Sequence, residues 1–394
     1  MELKKEIKAL ESEVIQIRRH FHTNPELSTQ EFKTSEFVEN YLHELGIETK
    51  RMYNTGVVGL IKGGKPGKTI LLRADMDALA LQELNDIPYK SQVEGVMHAC
   101  GHDAHTAMLL VAAKVLVAHR DELCGNVKLV FEPDEELNGG AQFMVAEGVL
   151  ENPKVDASFA MHVFPTLKTG TIGLRAGGVA ARQDSFKITI KGAGGHTSAP
   201  HQCRDPIACA ADIINSVQLL QTRELNPLDT TVIMFGMIHS GAANNVVPET
   251  AEIQGTVRYL YEGDNDETRM PIERFNRIVE QVALLHRVEV EIEWSVAAYA
   301  LINHPDFVSF LNKNVVPAAI GDAEISDMVI LGGEDFCDFV NRNKVPGALI
   351  WLGVGNSDIG ADKPIHSPDF MIDEDALKLG VELHVRTAME FLKE

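Results

Sequence analysis

Apolar residues recur at every third or fourth position from Leu3 through Ile7, Leu10, Val14 and Ile17, so residues 2–20 are expected to form an amphipathic helix. Asn24-Pro25-Glu26 breaks that period, and a second amphipathic helix is expected over 34–45, ended by Gly46. The pattern then shortens. Residues 57–61 and 69–72 are apolar runs of strand length on either side of Gly63-Gly64-Lys65-Pro66-Gly67, a segment that reads as a hairpin. The apolar run 108–117 reads as a buried helix, and 126–131 and 157–163 as buried strands. Helices alternating with such strands predict an α/β domain with a central, mostly parallel sheet.

The texture changes near residue 183. Residues 184–191 alternate like a half-exposed strand, 206–221 read as a helix, 231–238 and 252–260 as strands, 267–286 as a helix, and 288–294 as an alternating strand. Strand-helix-strand-strand-helix-strand is the order of a ferredoxin-like α+β sandwich. It is expected to be an inserted domain over 183–297, with 1–182 and 298–394 forming one catalytic domain. After Asn303-His304-Pro305 the α/β pattern resumes, with 348–354 as an apolar strand; no internal repeat is visible.

Composition narrows the partners. The 394 residues carry 36 basic and 57 acidic side chains, a net charge of −21, which argues against nucleic acid or an anionic membrane. The charged start, Met1-Glu2-Leu3-Lys4-Lys5-Glu6, lacks an apolar signal core, and no apolar run is long enough to span a bilayer. Five cysteines, an odd number without a CxxC pair, suit a reducing compartment, so a cytoplasmic protein is expected.

The densest chemistry is Met97-His98-Ala99-Cys100-Gly101-His102-Asp103-Ala104-His105, which sets one thiol, three imidazoles and a carboxylate in nine residues before the buried helix. Borderline metals prefer such donors. A lone buried cysteine or histidine is usually packing; Cys100 and His102 together, across a glycine, point to ligation. The neighbours His98 and His105 are expected to include a bystander. Glu135 and Glu136 stand just past strand 126–131, the end at which open α/β sheets place their sites. The segment from Glu132 to Glu136 holds four acids in five residues, which repel one another unless a cation is near; otherwise it is a solvated acidic loop. One glutamate can ligate a metal while its neighbour activates water as general base. His162, ending an apolar strand, and His366, in Pro364-Ile365-His366-Ser367-Pro368, are ordinary alone and gain weight as members of this set. His196, in Gly194-Gly195-His196-Thr197-Ser198, belongs either to a flexible surface loop or to a loop that presents a histidine to a substrate. Gly63-Gly64-Lys65-Pro66-Gly67-Lys68-Thr69 ends like a phosphate loop but has Lys62 at the first glycine position, and neither HExxH nor GxSxG occurs. Cys100 as a nucleophile with a histidine base is an alternative, but it leaves Glu135, Glu136, His162 and His366 without roles.

Taken together, the chain resembles the two-metal amidohydrolases and metallopeptidases that include aminoacylases, hippurate hydrolase, carboxypeptidase G and auxin-conjugate hydrolases. The likeness spans essentially the whole chain and is strongest to the branch with a Cys-Gly-His-Asp motif. It rests also on Leu72-Arg73-Ala74-Asp75-Met76-Asp77-Ala78-Leu79, Gly195-His196-Thr197-Ser198-Ala199-Pro200-His201, Asn245-Val246-Val247-Pro248, Gly255-Thr256-Val257-Arg258 and Gly332-Gly333-Glu334-Asp335-Phe336. The resemblance implies Cys100, His102, Glu136, His162 and His366 as metal ligands. Cys100, His102 and His162 would hold one ion, and Cys100, Glu136 and His366 the other. It implies Glu135 as the base, His196 as a histidine that a lid and dimerisation domain sends into the partner subunit's site, and Asn245 and Arg258 as substrate contacts. Two departures stand out: Glu132 and Asp134 replace the usual glutamine and alanine before the base, and Ala80 replaces a usual proline.

The expected function is metal-dependent hydrolysis of N-acyl amino acids by a homodimer holding two divalent ions per chain, zinc or manganese first, cobalt or nickel next. The alternatives are a dipeptidase or carboxypeptidase of the same mechanism, a metal-binding protein without turnover, and the Cys100 thiol hydrolase.

Overall fold

Residues 69–75 are buried without a break in the computed structural model of this chain, which describes residues 2–261, 271–321 and 323–393. A strand covered on both faces has no solvent side to alternate toward, so its sequence reads as a nearly solid apolar run. It is part of strand Lys65–Asp75, near the centre of an eight-stranded sheet. The order across the sheet is Thr49–Met52, Gly56–Lys62, Cys124–Glu132, Lys65–Asp75, Ala157–Lys168, Gly347–Gly355, Ile172–Gly173 and Ile325–Ser326. The four middle strands, from Cys124–Glu132 to Gly347–Gly355, run parallel. Thr49–Met52, Gly56–Lys62 and Cys124–Glu132 pair antiparallel, as do Gly347–Gly355 and Ile172–Gly173. The sheet is therefore mixed, with the expected parallel strands at its centre and antiparallel pairing towards both edges.

The segment 63–67 does not close a hairpin. Strand Cys124–Glu132 lies between Gly56–Lys62 and Lys65–Asp75 and pairs with both. Gly63 N–H donates to the Gly125 carbonyl at 2.8 Å and Lys65 N–H to the Leu123 carbonyl at 3.3 Å, which ties the turn to the inserted strand. Parallel neighbours need a crossover, and helix His102–Ala118 supplies it. This helix is buried almost throughout, packing against strand Lys65–Asp75 and helices Glu11–Thr23 and Leu377–Phe391, so it is apolar on all sides. The helix expected over 2–20 is two helices, Glu2–Ala9 and Glu11–Thr23, separated by a turn in which Leu10 N–H bonds the Ile7 carbonyl at 3.0 Å.

The chain path forms two units. The first contains this sheet and comprises the chain up to Val179, Asn303–Met328, and the chain from Asp335 on. The second comprises Ala180–Ile302 and Val329–Glu334. Its antiparallel strands run in the order Thr231–Ser240, Thr250–Tyr259, Arg182–Lys191, Glu289–Ala298, joined through helices Pro206–Arg223 and Pro271–His286 in ferredoxin-like connectivity. Alternation in Arg182–Lys191 turns Phe186, Ile188 and Ile190 into a core shared with Ile213, Val217, Phe275 and Val279. The sequence suggested bounds of 183 and 297 and left 329–334 with the catalytic part. That short segment is held in the second unit by Ala181 N–H to the Gly332 carbonyl at 3.0 Å and by Arg258 to the Leu331 carbonyl. Such long-range bonds leave no mark on local periodicity. The first residues of the helix expected over 267–286 lie outside the described residues. Among the described residues no helix is long and apolar enough to cross a membrane.

Candidate metal centre

The ends of the parallel strands bring the chemistry together. Asp75 and Glu132 are register partners, and His162 is opposite Trp351. Helix His102–Ala118 begins directly after Gly101. Gly101 has a φ of 93°, and a Cβ there would meet Val163 Cγ2 at 2.3 Å. Glycine is thus demanded both by conformation and by close approach. The donor atoms of Cys100, His102 and His162 lie within 4.8 Å of one another, and so do those of Cys100, Glu136 and His366. Cys100 is common to both groups. His102, Glu135 and Glu136 form a further group by the same measure. Cys100 Sγ is 3.3 Å from His162 Nε2, and His366 Nε2 is 3.4 Å from Glu136 Oε2. Cys100, His102 and His162 are buried, whereas the His366 side chain is 50% exposed, so the second group opens to solvent. The His366 backbone N–H donates to the Ala99 carbonyl at 2.8 Å, docking that loop on the Cys100 segment.

The donor set fits a divalent metal. His162 Nδ1 donates to the Val163 carbonyl at 2.7 Å, which leaves the Nε2 lone pair toward Cys100. Burial holds this ring well below the usual histidine range, so it is neutral, as a ligand must be. His102 Nδ1 lies 3.1 Å from Asp77 Oδ1, while its buried Nε2 and the buried Oε1 of Glu136 have no hydrogen-bond partner among the described residues. Around that Nε2 stand Asp75 Oδ2 and Glu135 Oε2 at 3.8 Å and Glu136 Oε1 at 3.9 Å. Against burial, Asp75 and Cys100 hold the His102 ring well above the histidine range: the site calls for positive charge at Nε2, from a proton or a metal ion. Burial, with Glu136 adding to it, pushes the Cys100 thiol well above its ordinary value. Such a thiol is a poor nucleophile, which speaks against the thiol hydrolase. A cation in the site would instead favour the thiolate as a ligand.

Sequence reasoning passed over Asp77. Its Oδ1 faces His102, and its Oδ2 accepts from Glu136 N–H at 3.0 Å and from the Ser28 hydroxyl at 2.7 Å, so one carboxylate orients two candidate ligands. The available signal was a second acid, after Asp75, at the end of a solidly apolar strand. The unusual acids have partners of their own. Glu132 Oε2 takes Arg73 Nε at 2.5 Å in a buried ion pair. Asp134, at a φ of 63°, accepts from the Tyr53 hydroxyl at 3.1 Å. Among the described residues, both ring nitrogens of His98 are buried without a hydrogen-bond partner and the ring belongs to none of the donor groups; burial pushes it down to about 4.

His196, Asn245 and Arg258 lie in the second unit. The two-residue strand Gly195–His196 pairs antiparallel with Val246–Val247, and the Asn245 carbonyl accepts from Thr197 N–H at 3.3 Å, so His196 and Asn245 are neighbours. The His196 ring is exposed, and its Nδ1 accepts from Ser198 N–H at 3.1 Å, so the neutral ring carries its proton on Nε2. Arg258, on strand Thr250–Tyr259, donates Nη1 to the Leu331 carbonyl.

Residues 71–390 match the model of peptidase family M20/M25/M40. The chain is 40% identical to thermostable carboxypeptidase 2 of Saccharolobus solfataricus, over 99% of this chain and 98% of that protein. It is 35% identical to hippurate hydrolase of Campylobacter jejuni over the full length of both. Among solved structures it is similar to YxeP of Bacillus subtilis, described as a dinuclear metal-binding peptidase of the M20 family. The TM-score is 0.84 at 34% identity, covering 98% of this chain and 99% of the other.

Proposed function

The chain belongs to peptidase family M20/M25/M40, a family of metal-dependent amidohydrolases and peptidases, and from that premise we propose that it hydrolyses the amide bond of N-acyl amino acids. In this reading Cys100, His102 and His162 hold one divalent ion, Cys100, Glu136 and His366 hold the other, and Glu135 is the general base. The observation that carries it is the pair of donor groups sharing Cys100, with the Glu135 carboxylate 3.8 Å from His102 Nε2. Zinc suits the shared thiolate best, manganese next, and cobalt or nickel after them.

When bound, the two ions polarise the scissile carbonyl and acidify a water. Glu135 accepts a proton from that water as the oxygen adds to the carbonyl carbon. It then delivers the proton to the leaving nitrogen as the C–N bond breaks. His196, with its proton on Nε2, is suited to donate to the oxyanion. Asn245 and the remaining donors of Arg258 are suited to the substrate carboxylate. The second unit serves as lid and dimerisation domain, and the five free cysteines accord with a cytoplasmic setting. The 40% identity to a carboxypeptidase favours a second reading, cleavage of a C-terminal peptide bond by the same chemistry.

Kinetics on N-benzoyl and N-acetyl amino acids beside peptides with free C-termini separate the two. Higher kcat/KM on the acyl amino acids supports the first reading, and higher values on peptides replace it with the second. Glu135→Gln should keep both metals and lose activity by about 10²–10⁴-fold. A variant above a few per cent of parent activity would remove Glu135 from the role of base.

A further inference from the structure

We propose that His105 is a positioning residue for His162, held in place by Asp75 and the buried guanidinium of Arg73. The inference rests on His162 as a ligand.

His105 lies one turn after His102, on the same buried helix, and its two ring nitrogens are both engaged. Nδ1 is 2.5 Å from Asp75 Oδ1, and Nε2 accepts the Val163 backbone N–H at 2.9 Å. The acceptor role assigns the proton to Nδ1, where Asp75 takes it. Val163 is also the residue to which the His162 ring is bound, through Nδ1 to the Val163 carbonyl at 2.7 Å. Residue 163 is therefore held at its N–H by His105 and at its C=O by the His162 ring. That double grip sets the plane and tautomer of His162 and leaves its Nε2 toward Cys100 Sγ. The anchor continues inward. Asp75 Oδ2 meets Arg73 Nη1 at 2.8 Å; the same guanidinium meets Glu132 Oε2 at 2.5 Å and Asp335 Oδ1 at 3.1 Å. The guanidinium directs hydrogen bonds to Glu132 and Asp335 and forms an ion pair with Asp75, an arrangement over which an ammonium group has far less directional control. Thr106 adds its hydroxyl to the Asp75 carbonyl at 2.7 Å, pinning helix to strand at the same point.

The rival role for His105 is direct ligation, because donor atoms of Asp75, His102 and His105 also lie within 4.8 Å of one another. Ligation through Nε2 would strip the Val163 N–H of its acceptor. Ligation through Nδ1 would cost the contact with Asp75. The two roles make opposite forecasts for a side chain that accepts a hydrogen bond but differs in shape from imidazole.

The test is a chelator-competition titration of the full-length metal-free protein with Co²⁺, with the visible absorption of the loaded protein as a second readout. The proteins are the parent, His105→Leu, His105→Gln and His162→Ala. His162→Ala should weaken or abolish binding of one ion. His105→Leu should weaken that same ion by about 10–100-fold and shift its cobalt bands, leaving the other ion near parental affinity. His105→Gln, whose amide oxygen still accepts from Val163, should stay near the parent. If His162→Ala loses its ion while His105→Leu binds like the parent, the positioning role is refuted and the ligand assignment stands. If His162→Ala binds both ions normally, the ligand assignment itself fails. If His105→Gln loses an ion as completely as His162→Ala, His105 is a ligand. Should His105→Leu fail to fold, Asp75→Asn keeps the shape and loosens the anchor. A loss at the same ion, smaller in size, then supports the relay, and parental affinity overturns it.

Discussion

At Gly101 a single methyl group decides whether Cys100 and His102 can turn toward the same point. Alanine would carry backbone strain of about 1–3 kcal/mol at that φ and would also drive a Cβ into Val163. Gly101→Ala should lower the urea midpoint and the bound metal together; unchanged metal content would show that the turn can be made without glycine. The buried ion cluster gives a contrasting pair. Glu132→Gln still offers Arg73 an acceptor and leaves it two carboxylates, so the stability loss should be modest, about 1–2 kcal/mol, with activity retained. Arg73→Met removes the buried cation shared by Asp75, Glu132 and Asp335 and should cost about 3–5 kcal/mol or prevent folding. Equal losses in denaturant titrations of the two variants would contradict the assignment of Arg73 as the hub.

Between elements, Glu31 joins the start of helix Phe32–Glu44 to the acidic loop. It accepts from Thr29 N–H at 2.9 Å, Asp134 N–H at 3.0 Å and the Thr55 hydroxyl at 2.7 Å. Burial raises its carboxyl from 4.5 to about 7. Because the folded value is the higher one, folding takes up a proton between these limits. The group is least costly below about pH 4.5, and stability is lost as pH rises towards 7. Glutamine mimics the protonated form: its oxygen can serve the two backbone N–H groups and its NH₂ the Thr55 oxygen. The stability of Glu31→Gln relative to the parent should therefore grow between pH 5 and pH 8, by an amount on the order of 2 kcal/mol. Urea titrations at the two pH values measure it, and a difference independent of pH would refute it.

Across the whole molecule, the candidate ligands come from four separate stretches of chain, so metal binding would close long loops and stabilise the fold. Dialysis against a chelator should lower Tm, and the Tm should climb with added Zn²⁺ or Mn²⁺ as mass action requires. A Tm indifferent to metal would count against the site. The proposal for His196 has its own whole-molecule test. If it serves the neighbouring subunit, mixing Glu135→Gln with His196→Ala should restore activity after subunit exchange, since one site of the heterodimer escapes both lesions. No recovery would confine His196 to its own chain or to no role.

Most elements were legible in the sequence because periodicity is a local property. Residues 69–72 and 126–131 are apolar enough to be strands wherever they sit, and the βαββαβ order of the second unit follows from the alternation itself. Donor chemistry is also intrinsic to a residue, so Cys100, His102, Glu135, Glu136, His162 and His366 stand out as candidate site residues in the sequence itself. Tertiary structure alone decided the rest. Local pattern has no means of showing that strand Cys124–Glu132 inserts between two strands that seem joined by a hairpin, or that 329–334 bonds back to Ala181 and Arg258. His98, His102 and His105 share one nine-residue stretch yet differ in kind. Among the described residues, one has no hydrogen-bond partner, one turns an unpaired nitrogen into the donor cluster, and one has both nitrogens taken. Those differences depend on Asp75, Asp77 and Val163, which the fold brings from other parts of the chain, and a hydrogen bond is settled by what stands three ångströms away rather than by neighbours in the chain.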